Sequence, residues 1–304
     1  MGLKILVACD KYKGSLSALE VCSSIADTIR EIDKEIEVVV APMADGGEGT
    51  VSTLVESQDG RLINLEAKGP LGDPVKSRFG IIKGDIGIIE MAAASGLWLV
   101  PKGRGNPMEA TTYGTGQLIR EALNLGCKKI IVGIGGSATT DAGMGMAQAL
   151  GVRFYGKKGE ELGLGGKEMQ KVERIDMSGI HPGVGQAEID VACDVDNPLY
   201  GRKGAAYVYS PQKGAGKKMV EELDRGLRNI ARVIEKDLGK DIRDMKGAGA
   251  AGGLGGGLAA FLGAKLRPGV DIVMESISLE SKIEDSDLVI SGEGAMDEQT
   301  YYGK

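Results

Sequence analysis

The fold class follows from the sequence of residues 4–57, KILVACDKYKGSLSALEVCSSIADTIREIDKEIEVVVAPMADGGEGTVSTLVES. The apolar runs KILVAC (4–9) and IEVVVAP (36–42) are typical of strands that are buried on both faces. Between them, Ser17 and Glu20 have the spacing of a helix capping box, and apolar residues then recur at helical intervals. A second helix is predicted in TVSTLVES. This β-α-β-α order predicts a parallel sheet with helices on its faces.

The rest of the chain continues this alternation. Short apolar runs predict further strands, and segments with helical spacing predict further helices. In GAGAAGGLGGGLAA we expect a tight turn and then a closely packed helix, because the small residues lead into an apolar segment. The predicted strands are GIIEMA (87–92), KKIIVGI (128–134), EIDVAC (188–193) and SDLVISG (286–292), and the predicted helices cover 115–125, 142–150, 217–237 and 254–264.

Composition and charge restrict the class of partner. A chain of 304 residues is long enough for two domains. Its formal net charge of -6 gives no long-range attraction to nucleic acid or to an anionic membrane. No apolar stretch reaches the ~18 residues of a membrane helix. The four cysteines form no C-x-x-C pair, which indicates free thiols rather than a zinc or redox site. We therefore expect a cytoplasmic protein whose partner is a small molecule.

Glycine is the outlier of the composition, with 49 of 304 residues, about twice the usual share of ~7%. Five polar turns follow predicted strands, and four of them contain glycine: CDKYKGS, PMADGGEGT, GIGGSATTD and SGEGAMDEQT; the fifth is CDVDNP. Ligands of open α/β sheets bind at the carboxyl ends of strands, so these five turns are expected to converge on one crevice. A crevice between two domains also predicts closure around the substrate.

The turn GIGGSATTD offers two interpretations. Gly133, Gly135 and Ala138 match the dinucleotide-binding pattern G-x-G-x-x-[GA], but no ribose-binding acid follows about 20 residues later. An NADP-dependent oxidoreductase that uses the nearby lysines of VRFYGKKG is therefore one alternative. In the other interpretation the turn binds a small polyhydroxylated or phosphorylated anion, because it combines hydroxyls, a carboxylate and backbone N–H groups. The simplest alternative is that Thr140 or Asp141 only caps the following helix. The hydroxyl and carboxylate side chains belong to Ser137, Thr139, Thr140 and Asp141.

The other turns carry lysines and acidic residues. Lys11 and Lys13 stand between a predicted strand and a capped helix, where they can neutralise phosphate, although exposed loop lysines are the simpler interpretation. Carboxylates at strand ends can bind Mg2+ or accept a substrate proton, or they can simply form turns. The polar residues of these turns include Asp45, Glu48, Asp194, Asp196, Asn197, Glu293, Asp297 and Gln299.

Missing motifs exclude several enzyme classes. The sequence contains no G-x-x-x-x-G-K-[ST] motif and no H-R-D with D-F-G, so neither a P-loop enzyme nor a protein kinase is supported. No G-x-S-x-G elbow occurs, and the single histidine, His181, lies in a loop before a proline. Any proton transfer must therefore depend on a carboxylate or a lysine.

Eight motifs resemble, in the same order, those of the type I glycerate kinases, and the resemblance extends from residue 4 to residue 304. They are DKYKGSLSA, PMADGGEGT, IEMAAASGL, ATTYGTGQLI, GIGGSATTDAGMGMAQALG, ACDVDNPLYG, AAGGLGGGL and DLVISGEGAMDEQTYYGK. The resemblance implies ATP-dependent phosphorylation of D-glycerate, usually to 2-phosphoglycerate. It also implies two α/β domains. A flavodoxin-like, Rossmann-like domain with a parallel sheet is formed by 1–68 and 283–304, and a mixed α/β domain is inserted at 69–282.

The chain departs from the family pattern in a few places. Thr140 and Ala142 stand where members of the family often have Asn and Gly. Members of the family also continue for some dozens of residues beyond the segment that corresponds to Lys304. The flavodoxin-like sheet is therefore expected to have fewer strands here, and a sugar-acid-binding relative without turnover is a second alternative. The resemblance leaves a homodimer open, and neither nucleic acid nor a membrane is expected as a partner.

We hypothesise roles for the polar residues of the turns. Asp194 is the first choice for the catalytic base because it ends an apolar strand, and Asp45 is the second; Lys11 neutralises phosphate. Glu293 and Asp297 bind Mg2+. The predicted substrate-binding residues are Ser15, Gly46, Gly47, Gly135, Gly136, Ser137, Thr139, Thr140, Asp141 and Asn197, and the predicted ATP-binding residues are Lys13, Glu293, Gln299, Thr300 and Lys304.

Overall fold

A computed structural model of the chain describes residues 2–12, 14–44 and 49–295. The described residues form an α/β protein, and all of the strands and helices predicted above are present. The strands are β1 (Lys4–Cys9), β2 (Glu37–Val40), β3 (Arg61–Lys68), β4 (Pro74–Ile82), β5 (Ile86–Glu90), β6 (Lys129–Gly133), β7 (Arg153–Tyr155), β8 (Arg174–Asp176), β9 (Glu188–Ala192), β10 (Lys265–Arg267) and β11 (Leu288–Gly292).

Helices separate most of these strands. The capping box of the first helix forms as predicted: the Glu20 backbone N–H donates to Ser17 Oγ at 3.3 Å, and the Ser17 N–H donates to Glu20 Oε2 at 2.8 Å. The helices are α1 (Ala18–Ile32), α2 (Thr50–Ser57), α3 (Ala92–Ser95), α4 (Tyr113–Asn124), α5 (Met144–Ala149), α6 (Ala205–Tyr209), α7 (Lys217–Leu238), α8 (Ala250–Leu262), α9 (Gly269–Ser276) and α10 (Leu279–Glu284). None of the helices in the described ranges has the length and apolar content needed to cross a membrane.

The strands form two main sheets. The three-stranded sheet has the order β11-β1-β2 and is entirely parallel. The six-stranded sheet has the order β10-β9-β6-β5-β4-β3; its first four strands are parallel, and β4 and β3 are antiparallel to their neighbours. β7 and β8 form a small antiparallel pair. The parallel strands of each sheet therefore end at a common edge, where the predicted ligand-binding turns begin.

The hairpin of β3 and β4 was not predicted. RLINLEAK alternates apolar and polar residues along an edge strand that is largely exposed, so it lacks a continuous apolar run. The hairpin pairs Arg61–Lys68 with Pro74–Ile81, so β3 belongs to the six-stranded sheet. The predicted division of the chain at 68/69 and 282/283 stays a prediction.

Apolar clusters show how the two sheets are layered. α1 packs on one face of β1 through Val21 and Cys22, beside Val7. A second cluster joins β1, α2, α9 and the six-stranded sheet, and its buried members include Leu6, Leu54, Ile88 and Ile272. The helices α4 and α8 pack on the opposite face of the six-stranded sheet, and α5 and α7 pack against these helices. The layers are therefore, in order, α1, the three-stranded sheet, α2 with α9, the six-stranded sheet, and the helices on its far side.

Many glycines pack against one buried loop, Thr139–Ala142. A Cβ on Gly252 would overlap the carbonyl oxygen of Thr139, and a Cβ on Gly257 would overlap that of Ala142. Gly252 and Gly253 also have φ values of 73° and 92°, so α8 starts with a left-handed turn before its regular part. This confirms the predicted tight turn followed by a closely packed helix.

The substitution Gly257→Ala tests this packing. In an ordinary helix interior, Gly→Ala stabilises the protein by roughly 0.5–1 kcal/mol. At Gly257 we expect the opposite, a loss of about 1–3 kcal/mol in the free energy of unfolding, because the new methyl group meets a backbone carbonyl. Urea denaturation measures this change. Gly163→Ala, at an open position with nothing within 4 Å, is the control and should stay near wild type. A Gly257→Ala protein as stable as wild type would contradict the interpretation.

Candidate active site

The carboxyl ends of β6 and β9 lie side by side, because Gly133 pairs with Ala192 in the parallel register. The loops that follow these strands open onto a pocket of about 350 Å³. This volume is within the usual range of small-molecule sites. The residues that bring polar groups to its lining include Gly135, Gly136, Ser137, Asp194, Tyr209 and Lys213.

The turn Gly135–Ser137 is held in place by the backbone of the segment after α3. The Leu97 N–H donates to the Gly136 carbonyl at 2.8 Å, and the Ala138 N–H donates to the Ser95 carbonyl at 2.9 Å. Within the described ranges, the backbone N–H groups of Gly135, Gly136 and Ser137 donate to no protein acceptor. The turn therefore offers three N–H donors, a group suited to an anion.

A buried lysine supports the same turn. Lys213 ends the short 3₁₀ helix Pro211–Lys213, and its side chain is 2% exposed. Its Nζ donates to Ser137 Oγ at 2.7 Å and to the Thr139 carbonyl at 2.6 Å. Burial lowers the pKa of Lys213 to about 7, and the nearby Asp141 carboxylate offsets part of that decrease. A cation on the pocket wall is thus held by neutral oxygen atoms.

Asp141 fixes the buried part of the loop. Its carboxylate is fully buried and accepts hydrogen bonds from the Thr112 N–H at 2.8 Å and the Thr112 hydroxyl at 2.9 Å. It also accepts the Gly143 and Gly145 N–H groups at 3.2 and 3.3 Å. Burial raises the pKa of Asp141, and these hydrogen bonds oppose the rise. Asp141 therefore joins the loop to the start of α4.

The predicted substrate-binding residues of this loop divide into two groups. Gly135, Gly136 and Ser137 line the pocket. Thr139, Thr140 and Asp141 are fully buried, and Thr140 shares a hydrogen bond of 2.9 Å with the hydroxyl of Ser210. Thr139 Oγ1 has no hydrogen-bond partner within the described part of the chain. Contact of the second group with a substrate stays a prediction.

Asp194 lies in the pocket lining at the end of β9. Its Oδ1 accepts the Gly269 N–H at 2.9 Å, at the first residue of α9. Its side chain is exposed, and Oδ2 has no partner among the described residues. Asn197 accepts the Tyr209 hydroxyl at 2.5 Å and donates to the Lys203 carbonyl at 2.8 Å. Asn197 thus positions Tyr209, which lines the pocket, and is itself outside the lining.

Two other predicted residues lie at the edge of the three-stranded sheet. Lys11 and Glu293 follow β1 and β11, whose ends pair at Cys9 and Gly292. Ser15 is exposed in the turn that leads to α1. Lys11 and Glu293 therefore follow neighbouring strand ends, and neither they nor Ser15 lines the pocket of Ser137 and Asp194.

The start of α2 lies near both sheets. Its Val51 N–H donates to Glu90 Oε1 at 2.8 Å, at the end of β5, and Thr50 shares a small cavity with Gly133 and Ala192. The loop before α2 contains some of the residues predicted above. They are among the predicted residues that lie outside the described ranges, which are Lys13, Asp45, Gly46, Gly47, Asp297, Gln299, Thr300 and Lys304.

Sequence reasoning missed Lys213 and Tyr209. Neither residue follows a strand. Tyr209 is the last residue of α6, and Lys213 lies between α6 and α7, 76 positions along the chain from Ser137. The only local signal is a lysine between a proline and a glycine in SPQKG, which is common in exposed turns. Tertiary packing alone brings these residues to the pocket.

A pocket lined by polar groups at the carboxyl ends of parallel strands is typical of α/β proteins that bind a small molecule. Comparisons with known proteins specify this class. The sequence profile of the glycerate kinase family matches residues 5–304. The chain therefore belongs to the glycerate kinase family, as the motifs predicted.

Individual relatives are similar in sequence to this protein over nearly the whole chain. The chain is 50% identical to a glycerate kinase of Halalkalibacterium halodurans over 99% of its own length and 79% of that protein. It is 48% identical to the glycerate 2-kinase of Escherichia coli K12, covering 99% of the chain and 80% of that protein. The crystal structure of a protein named glycerate kinase 2 from Salmonella typhimurium LT2 superposes with a TM-score of 0.96 at 47% identity, over 100% of this chain and 81% of the other.

The buried lysine predicts a pH dependence of stability. Its pKa is about 7 in the folded protein and has the ordinary value of 10.5 when unfolded, so between these values only the unfolded state binds the proton. The free energy of unfolding should therefore rise with pH from about 7 towards 10, with a slope approaching about 1.4 kcal/mol per pH unit. Below pH 7 both states are protonated and the contribution is flat.

Denaturation of the wild type and of Lys213→Met between pH 6 and 9.5 measures this contribution. The difference in free energy of unfolding, wild type minus variant, should increase with pH. Lys217→Met, at an exposed lysine four residues away, should follow the wild-type profile in parallel. A wild-type-minus-Lys213→Met difference that is constant from pH 7 to 9.5 would refute the assignment.

Proposed function

We propose that the protein transfers the γ-phosphoryl group of ATP to the 2-hydroxyl group of D-glycerate, giving 2-phosphoglycerate. Membership in the glycerate kinase family supplies the kinase activity and ATP as the donor. The Escherichia coli relative named glycerate 2-kinase supports the 2-position. The observation in the structure that supports this proposal most strongly is the combination of anion-binding donors and one exposed carboxylate in a single pocket.

The two kinds of group suit the two ends of a 2-hydroxy acid. The N–H groups of Gly135–Ser137 can bind an oxyanion, and Asp194 Oδ2 is available to a hydroxyl group. Phosphoryl transfer needs a group that orients or deprotonates the attacking hydroxyl, and in kinases an aspartate does this. The Gly269 N–H at the start of α9 holds the other oxygen of Asp194. We therefore assign Asp194 as the base that receives the proton of the glycerate hydroxyl.

The nucleotide is assigned to the edge of the three-stranded sheet. Lys11 follows β1 there and can neutralise phosphate charge. Glu293 follows the neighbouring strand β11, whose end pairs with the end of β1. The described residues contain no group of three or more acidic, histidine or cysteine side chains placed to share a metal ion. Mg2+ usually takes one or two carboxylates together with substrate phosphates, and Glu293 would supply one carboxylate here; Asp297, the other predicted ligand, lies outside the described ranges. When bound, Mg2+ would neutralise charge on the transferring phosphoryl group.

The oxidoreductase alternative lacks the required local structure. In a dinucleotide-binding turn the glycines lead directly from a strand into a helix. Here β6 ends at Gly133 and α5 begins only at Met144, and the residues between them form the buried loop. Separate titrations with ATP and NADPH distinguish the two functions, because the kinase is expected to bind only ATP with saturation.

A coupled assay of ADP release tests the proposed function directly. The reactions contain ATP and Mg2+ with D-glycerate, L-glycerate or no acceptor, and ³¹P NMR identifies the phosphorylated carbon. ADP release that depends on D-glycerate and gives 2-phosphoglycerate is expected. Glycerate binding without ADP release would instead support the sugar-acid-binding alternative, and 3-phosphoglycerate would correct the position.

Asp194→Asn tests the base. The amide keeps the shape and can still accept the Gly269 N–H, but it cannot take a proton. We expect kcat to fall roughly 100- to 10,000-fold, with little change in KM for glycerate. Asp196→Asn is the matched control, since Asp196 is exposed and pairs with Lys246 at 3.6 Å on the surface. Near-normal kcat in Asp194→Asn would remove Asp194 from this role.

A further inference from the structure

We propose that Lys213 is the residue that recognises the carboxylate of the acceptor: with Ser137 it binds glycerate as an anion and gives the pocket its preference for an acid over a neutral polyol. This inference rests on the proposed function and adds a substrate-binding residue to it. The residue is outside every motif described above and carries no role in the mechanism so far. The positive charge of Lys213 has hydrogen-bond partners but no negatively charged partner among the described residues.

The ammonium group of Lys213 has no carboxylate partner among the described residues. Within the part of the chain that the structure describes, no acidic oxygen lies within 4 Å of its Nζ, and its two hydrogen-bond partners are neutral oxygens. Buried charges in proteins are normally paired, because an unpaired buried ion loses its hydration without compensation. The pocket that Lys213 lines is the place from which an anion can reach it.

The arrangement around Ser137 also favours an anion. Ser137 Oγ accepts a hydrogen bond from Lys213 at 2.7 Å, so its own proton is left to donate to another acceptor. The backbone N–H groups of Gly135, Gly136 and Ser137 have no protein acceptor among the described residues. Lys213 Nζ donates to Ser137 Oγ and to the Thr139 carbonyl, so one of its three N–H groups is left for a further acceptor. A carboxylate is a small acceptor that can use several such donors at once.

The neighbouring strand end favours the carboxylate as the oxyanion that is bound. Glycerate and the transferring phosphoryl group both offer negatively charged oxygens. Gly133 and Ala192 are paired residues, so the Ser137 turn and Asp194 follow adjacent strands. In a 2-hydroxy acid the carboxylate and the reacting hydroxyl are on adjacent atoms, and this matches an anion site beside the base. The phosphates of ATP are assigned to the other sheet edge, so we assign Lys213 to the carboxylate.

Kinetics with an acid and its neutral analogue test the assignment. Wild type, Lys213→Met and the control Lys217→Met are assayed with D-glycerate and with D-glyceramide, which replaces the carboxylate by an amide. Lys213→Met should raise KM for D-glycerate roughly 10- to 150-fold, the effect of losing a hydrogen bond to a charged group, and leave KM for ATP within about twofold. The preference of wild type for glycerate over glyceramide should largely disappear. Lys217→Met should behave like wild type.

A second variant separates recognition from folding. Ser137→Ala removes one donor and leaves the lysine, so KM for D-glycerate should rise in the same direction but by a smaller factor. If Lys213→Met retains the preference for glycerate over glyceramide, the proposal is wrong. A rise in KM for ATP with an unchanged KM for glycerate would assign Lys213 to the phosphate instead. Thermal unfolding of both variants shows whether they fold.

Calorimetry gives a readout that does not need turnover. An anion beside Lys213 favours its charged form, so binding of D-glycerate at pH 8 should take up a fraction of a proton, seen as heats that differ between HEPES and Tris buffers, neither of which supplies a small anion that competes for the site. Lys213→Met should lose this uptake. The other titratable groups around Lys213 are Asp141, Asp194, Cys193 and Tyr209, and all of them remain in the variant.

The two proposals fail in different ways. If wild type binds D-glycerate with proton uptake but releases no ADP, the proposed kinase activity fails and the inference about Lys213 stands. If wild type releases ADP with D-glycerate and Lys213→Met has the same KM and the same proton uptake, the inference fails and the kinase activity stands. If wild type binds neither D-glycerate nor inorganic phosphate, the anion site itself is refuted.

Discussion

The burial of the Asp141 carboxylate is the constraint on which the candidate site depends. A buried charge is tolerated only where hydrogen bonds replace its lost hydration, and Asp141 receives them from Thr112 and from two glycine N–H groups. These bonds fix Thr139–Ala142 between α4, α5 and α8. Once this part of the loop is fixed, the position of the Ser137 turn at the pocket follows, and so does the carbonyl group that Lys213 contacts.

The glycine-rich composition has its physical explanation in the same loop. Close approach of backbones needs positions without Cβ, and Gly252 and Gly257 supply them where α8 meets Thr139 and Ala142. The excess of glycine therefore serves packing around the site as well as turns at strand ends. The buried side chains of this loop act mainly through the positions they impose, whereas the exposed turn before them supplies the groups that a ligand can reach.

The sequence was sufficient for the parallel strands and for one wall of the pocket. Continuous apolar runs predicted β6 and β9, and the rule that ligands bind at strand ends brought Ser137 and Asp194 together correctly. Two features could not be predicted from local sequence patterns. The edge hairpin of β3 and β4 alternates in polarity and is partly exposed, and Lys213 reaches the pocket through contacts between residues far apart in sequence. Local patterns carry no information about such a contact.

The layer of α2 and α9 between the sheets restricts how the protein can move around its substrates. Leu6, Leu54, Ile88 and Ile272 form one apolar cluster across this layer. A rigid opening of the sheets would expose these side chains to water at a cost of roughly 1.5–3 kcal/mol each. Sliding of packed helices by small steps keeps the cluster buried. Substrate access is therefore expected to involve shear along this layer and rearrangement of loops, rather than the wide hinge opening of two independent lobes.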